Sequence, residues 1–110
     1  MVLETLENLA QASAATEFKD EALKYYEDYL DRLYDSNDDD IREKEAAILF
    51  KMSKVHEQMG DLEAQLNKLH KATKLLQSDS MSPSAMDLDH QIQIKLRSAR
   101  YTLEKEEYNW

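Results

Sequence analysis

Three histidines, six tyrosines and twenty-three carboxylates are the side chains of this 110-residue chain that could do chemistry. A zinc ion needs three or four imidazole, thiolate or carboxylate ligands brought together at motif spacing. His56, His70 and His90 have no second histidine four residues away and no cysteine to pair with, so no metal or cofactor is expected. His56 instead suits a packed aromatic position. Catalysis would require a positioned nucleophile or an acid–base pair. The chain has no glycine-rich phosphate loop and no serine elbow, and acids on amphipathic helices are ordinary solvent-facing residues, so the expectation is a protein that is not an enzyme. The segment YYEDYLDRLY places four tyrosines among acids, where nucleic-acid modules interleave aromatics with bases. Tyr26 and Tyr29 are expected in the core, and Tyr25 and Tyr34 at an edge or interface. Ser82-Pro83 fits proline-directed phosphorylation, although a polar linker with a helix cap explains the same residues more simply.

Elements that could position these residues are helical. One glycine and one proline stand among 42% hydrophobic and 34% charged residues, a composition of helix formers with few breakers. The net charge of −9 is unevenly placed: residues 1–50 hold 14 acids and 5 bases, and residues 51–110 are balanced. That imbalance opposes non-specific binding to nucleic acid or anionic membrane. It either steers basic partners or simply keeps the surface solvated. No stretch reaches the ~20 apolar residues of a membrane span, and the acidic N-terminus is unlike a signal peptide. A cytoplasmic or nuclear location is expected, consistent with the absence of cysteine.

Apolar spacing predicts five helices in one domain, residues 1–110. A first hairpin covers about 2–34, with Leu3, Leu6, Leu9 and Ala10 on one side of its first helix and Ala22, Tyr26, Tyr29 and Leu33 on its second. The run DSNDDD at 35–40 resists helix interiors and suits a turn leading into a helix N-terminus. A second hairpin covers about 41–77. Its first helix, 41–59, presents Ile41, Ile48, Met52, Val55 and Met59, with Ala46, Leu49, Phe50 and Ser53 beside them; so wide an apolar face suits a helix between neighbours. Gly60 is placed for a left-handed C-cap and Asp61 for the next N-cap, and Leu62, Leu66, Leu69, Thr73 and Leu76 follow at helical spacing. After the linker SDSMSPSA, Ser84 and Asp87 mark the start of an additional helix at about 85–107 with Leu88, Ile92, Leu96, Ala99 and Leu103 on its main face.

Aligned by their turns, the two hairpins repeat at an offset of 43 residues, a period typical of stacked helical pairs. In the second, Leu49, Met52-Ser53, His56, Gly60-Asp61, Leu69 and Ala72 resemble the tetratricopeptide (TPR) repeat, at its first large site, apolar-small pair, aromatic site, turn and two positions of its second helix. Gln65 and Gln77 depart from the usual Ala and Pro, and the first hairpin has Glu17-Phe18 in place of Gly-Asp. The offset exceeds the family's basic repeat and is similar to the longer repeats of kinesin light chain. The resemblance, over Leu3 to Gln77, implies an all-α stack of antiparallel helical hairpins in a right-handed superhelix, acting as an adaptor that binds a partner peptide or helix. Its groove would show Glu7, Gln11 and Ala14 from the first helix and Ala47, Phe50, Lys54, Glu57 and Gln58 from the third. Glu7, Gln11 and Lys51 stand where the co-chaperone subclass has other groups, which disfavours capture of an acidic C-terminus. The resemblance favours a mixed groove with Phe50 as apolar anchor and Lys54 as charge partner.

Ile94, Tyr101 and Tyr108 recur every seven residues on a side of the fifth helix that Leu88, Ile92, Leu96 and Leu103 do not share. Once the main face has packed, this stripe is left for another protein, for a further part of the same parent protein, or for a homodimer. Two alternative functions follow: a self-associating structural bundle, and an acidic chaperone for basic proteins working through Asp38, Asp39 and Asp40.

Overall fold

The computed structural model describes residues 3–15, 17–34, 41–76 and 83–108, without the side chains of 3, 4 and 106–108. The acidic run at 35–40, and with it the charges on Asp38, Asp39 and Asp40, lies outside the described residues, as does Ser82. Among the described residues every regular element is an α-helix: α1 (Leu3–Ala14), α2 (Lys19–Tyr34), α3 (Ile41–Met59), α4 (Leu62–Leu76) and α5 (Pro83–Tyr108). Among the described residues no helix is long and apolar enough to cross a membrane.

The α3–α4 turn shows how three residues fix a hairpin. Gly60 has φ +78°, a conformation that costs a Cβ-bearing residue energy. That twist lets the Gly60 amide donate to the Glu57 carbonyl (3.1 Å) and the Asp61 amide to the His56 carbonyl (2.9 Å), the paired bonds of a Schellman closure. Asp61 then begins α4, its carboxylate accepting from the Ala64 amide (3.2 Å) and its carbonyl from the Gln65 amide (3.1 Å). One residue therefore serves the end of one helix and the start of the next. α5 begins at Pro83, earlier than its sequence signals at Ser84 and Asp87; proline suits a first helical position because it has no N–H to leave unpaired and its φ is already set.

Neighbours in sequence pack together: α1 on α2, α2 on α3, α3 on α4 and α4 on α5. Cross-helix contacts fix their directions. Glu7 meets Lys51 and Ala14 lies by Gln58, so α1 and α3 run parallel; α4 returns along α3 after the Gly60 turn, and α5 in turn returns along α4, which gives α5 the direction of α3. Thr73 meets Asp89 and Leu62 lies by Ala99, so α4 runs back against α5. The molecule is a slab 49 × 38 × 18 Å, about two helix diameters thick. Its core joins Leu6 and Ala10 of α1, Tyr26, Tyr29 and Leu33 of α2, Ile48, Leu49, Phe50, Met52 and Val55 of α3, Leu69, Ala72 and Leu76 of α4, and Ile92 and Leu96 of α5.

Polar bonds set how α5 lies on α4. The Thr73 hydroxyl donates to Asp89 (2.7 Å) and accepts from Gln93 (2.9 Å), with Thr73 itself buried. Buried polar groups need partners, so this triad holds α5 to one rotation about its axis. Three expected core positions differ from the sequence pattern; the first, Leu9, is 36% exposed, because α1 packs through Leu6 and Ala10 and has a neighbour on that side only. Met59 is 44% exposed because it is the last residue of α3, beyond Val55, where the turn begins. Leu103 shares the side of Ile92 but is 38% exposed, because α5 has 26 residues against 15 in α4 and overruns it past Ala99.

Candidate partner-binding face

The layer formed by α1, α3 and α5 carries two clefts in succession, and α3 lies between them. The α1/α3 cleft, about 330 Å³, is lined by Gln11, Ala14, Tyr26, Lys51, Lys54 and Gln58, with Val55 below. Small residues at and just past the end of α1 open it: Ala14 and Ala15 have no bulk to fill the space. Lys51 crosses the cleft's margin to pair with Glu7 on α1. Burial, and then the nearby Glu7 carboxylate, push the Tyr26 hydroxyl's pKa up, so the phenol remains a neutral donor in the cleft wall.

The α3/α5 cleft, about 210 Å³, is lined by Phe50, Lys54, Gln91, Ile94 and Lys95. The Lys54 ammonium sits 4.5 Å from the centroid of the Phe50 ring, a cation–π contact, and no carboxylate among the described residues pairs with it. Glu57 pairs with Lys95 at 3.2 Å and accepts from Gln65 at 3.5 Å. Both carboxylate–lysine pairs on this layer tie one helix to the next, and Lys54 lines both clefts without being consumed by either.

The residues expected at a partner surface are thus divided. Lys54 and Gln58 lie together with Gln11 and Ala14 as the resemblance implied, and Ile94 (53% exposed) joins Lys54 across the second cleft. Phe50 is corrected: only 6% exposed, it belongs to the core, and its ring forms cleft wall beneath Lys54 instead of a free apolar anchor. Glu57 is half committed to its lysine. Tyr101 is 67% exposed and lies beyond both clefts; the side chain of Tyr108 lies outside the described residues. Sequence reasoning missed Gln91 and Lys95. Their spacing of four, each one residue before a buried Ile92 or Leu96, was the available signal for a side facing α3.

The opposite side of α3 differs. Leu23 and Glu27 of α2, Met52 and His56 of α3, and Asp61, Glu63, Ala64, Asn67 and Lys68 around the start of α4 line a cleft of about 390 Å³. His56 Nδ1 is buried there without a hydrogen-bond partner. Burial pushes the His56 pKa down and Lys68 adds to that, while Asp61 and Glu27 act in the opposite sense. A proton on Nδ1 would be shut away from water and acceptors, which keeps this ring neutral. No group of three or more metal-ligating side chains is present among the described residues.

Compared with family models, curated proteins and solved structures, the chain matches none.

Proposed function

We propose that the protein is a non-enzymatic interaction module of TPR type that holds a peptide or short helix of a partner protein along α1, α3 and α5. The observation that carries this is the pair of clefts sharing Lys54. In a chain with 23 acids and 14 bases, neither cleft is lined by a carboxylate, and three lysines reach them. A surface left that way by chance would more often be acidic. The parallel layer of α1, α3 and α5 also supports the resemblance in repeat architecture, since it exposes the first helices of successive hairpins side by side.

Selection of peptides from a displayed random library against the folded chain, followed by amide chemical-shift mapping of one selected peptide, tests this. Shifts concentrated at Gln11, Lys54, Gln58 and Gln91, lost with Lys54→Glu, are the expected result. Shifts confined to α2 and α4, or an affinity indifferent to Lys54→Glu, would remove the clefts from the function.

A further inference from the structure

Beyond Ala99 α5 is exposed, keeping only Thr102 beside the α3–α4 turn at Gly60 and Leu62, and past Thr102 it leaves the body of the protein. Residues from Arg100 to Lys105 are all exposed, and the helix continues to Tyr108. Ile94, on the packed part of α5, and Tyr101, past it, form an exposed apolar stripe, and Arg97 and Glu104 lie beside it on one flank, themselves seven residues apart and both exposed. Neither Arg97 nor Glu104 has a partner among the described residues. A few turns of helix with no packed neighbour gain little stability from propensity alone, so a covering surface would be favourable.

We infer that the covering surface is α5 of a second copy of this chain, packed antiparallel about Tyr101. Charge pattern selects both the occupant and its direction. A two-fold axis at Tyr101 brings the same flank of both helices together, and Arg97 stands four residues before that centre while Glu104 stands three after it. Arg97 of each copy therefore falls within one residue's rise, about 1.5 Å, of the level of Glu104 of the other, and the pair forms twice by symmetry. The two Tyr101 rings meet at the axis, and Ile94 lies level with position 108 of its mate. On the other flank Ser98 faces Lys105, which brings no like charges together. A parallel pair would instead set Arg97 level with Arg97 and Glu104 level with Glu104. Because α5 overruns α4 by most at this end, the two bodies lie toward opposite ends of the contact. The contact spans about two heptads, small beside stable interfaces, so the dimer is a weak, concentration-dependent one. It shares Ile94 with the rim of the α3/α5 cleft and leaves the α1/α3 cleft untouched, and it does not depend on the function proposed above.

The chain has no cysteine, which permits a direct test. Sedimentation equilibrium from about 1 µM to about 1 mM is expected to show a monomer–dimer equilibrium. Arg97→Glu and Glu104→Arg should each weaken it by about tenfold or more, and the double exchange should restore it to within about threefold. Mild oxidation should link Tyr101→Cys into dimers and leave Ile94→Cys unlinked, since the latter sulfurs sit about 21 Å apart along the pair while a disulfide needs Cα atoms about 4–7 Å apart. A single-chain mass throughout the range, single and double charge variants that behave alike, or equal linking at positions 94 and 101 would each overturn the proposal. The cysteine variants retain every native charge, so they decide the case even if a charge variant fails to fold.

Discussion

The two sides of α3 are built from one helix and carry opposite electrostatics. Toward α1 and α5 it offers Lys51, paired with Glu7, and Lys54 to clefts with no carboxylate in their lining; toward α2 and α4 it offers Met52 and His56 to a cleft ringed by Glu27, Asp61 and Glu63 with one lysine, Lys68. Net charge would not reveal this, because −9 describes the whole chain and a partner meets one face. The contrast also separates groups that are free to rearrange from groups that are fixed. On the lysine side the polar groups are exposed and exchangeable; on the other, a turn and a buried ring nitrogen hold the hairpin in shape.

Breaking the wall between the faces should have the largest effect. Met52 is 1% exposed and floors the His56 cleft, so Met52→Ala should cost about 2–5 kcal/mol in urea unfolding. A loss under ~1 kcal/mol would mean that the wall can collapse to fill the space. Next is the turn. Nothing lies within 4 Å of a Cβ added at Gly60, so Gly60→Ala should cost only the left-handed backbone strain, about 1–2 kcal/mol, with the fold unchanged by far-ultraviolet circular dichroism.

His56 sharpens the comparison through pH. Its folded pKa lies below the ordinary value near 6.5, so between the two values the unfolded chain binds more protons, and stability rises with pH across that window. Stability should fall as pH drops below about 6.5 and level off once the folded state also protonates. Urea midpoints for wild type and His56→Gln, compared from pH 7.5 down to 5, should diverge in that window; parallel curves would show that Nδ1 finds an acceptor. The smallest stability effect belongs to the lysine face. Lys54→Glu removes a contact at an exposed site and should change unfolding free energy by no more than about 1 kcal/mol, although it reverses the charge shared by both clefts. Thermal unfolding that moved as far as for Met52→Ala would assign Lys54 to the core.

Local features were the legible ones. The bounds of α3, the Gly60 turn and the Asp61 cap could be read from sequence because each depends on residues within one turn of itself. Burial of Tyr26 and Tyr29 followed from spacing for the same reason. Phe50 and Leu103 were misread because depth depends on other elements. Periodicity places Phe50 on a flank of α3, but only the packed neighbours make that flank interior. Leu103 repeats the pattern of Ile92, yet its exposure is decided by where α4 ends along α5. The crossing of Glu7 to Lys51, forty-four residues apart, leaves no trace in local spacing at all. Of the residues that line the two clefts, Lys54 and Gln58 were also named from the TPR resemblance, and the lysine-lined contrast between faces required the three-dimensional arrangement.

An 18 Å slab has a further consequence. Protein two helices thick has no interior that is independent of its surfaces, and Val55 beneath the lysine-lined cleft is a single turn from Met52 beneath the acidic one. A ligand that tightened one cleft would press on the floor of the other through a single layer of side chains. The His56 ring is thereby a built-in reporter, and its imidazole resonance should register a peptide seated over Lys54 on the far side of the molecule.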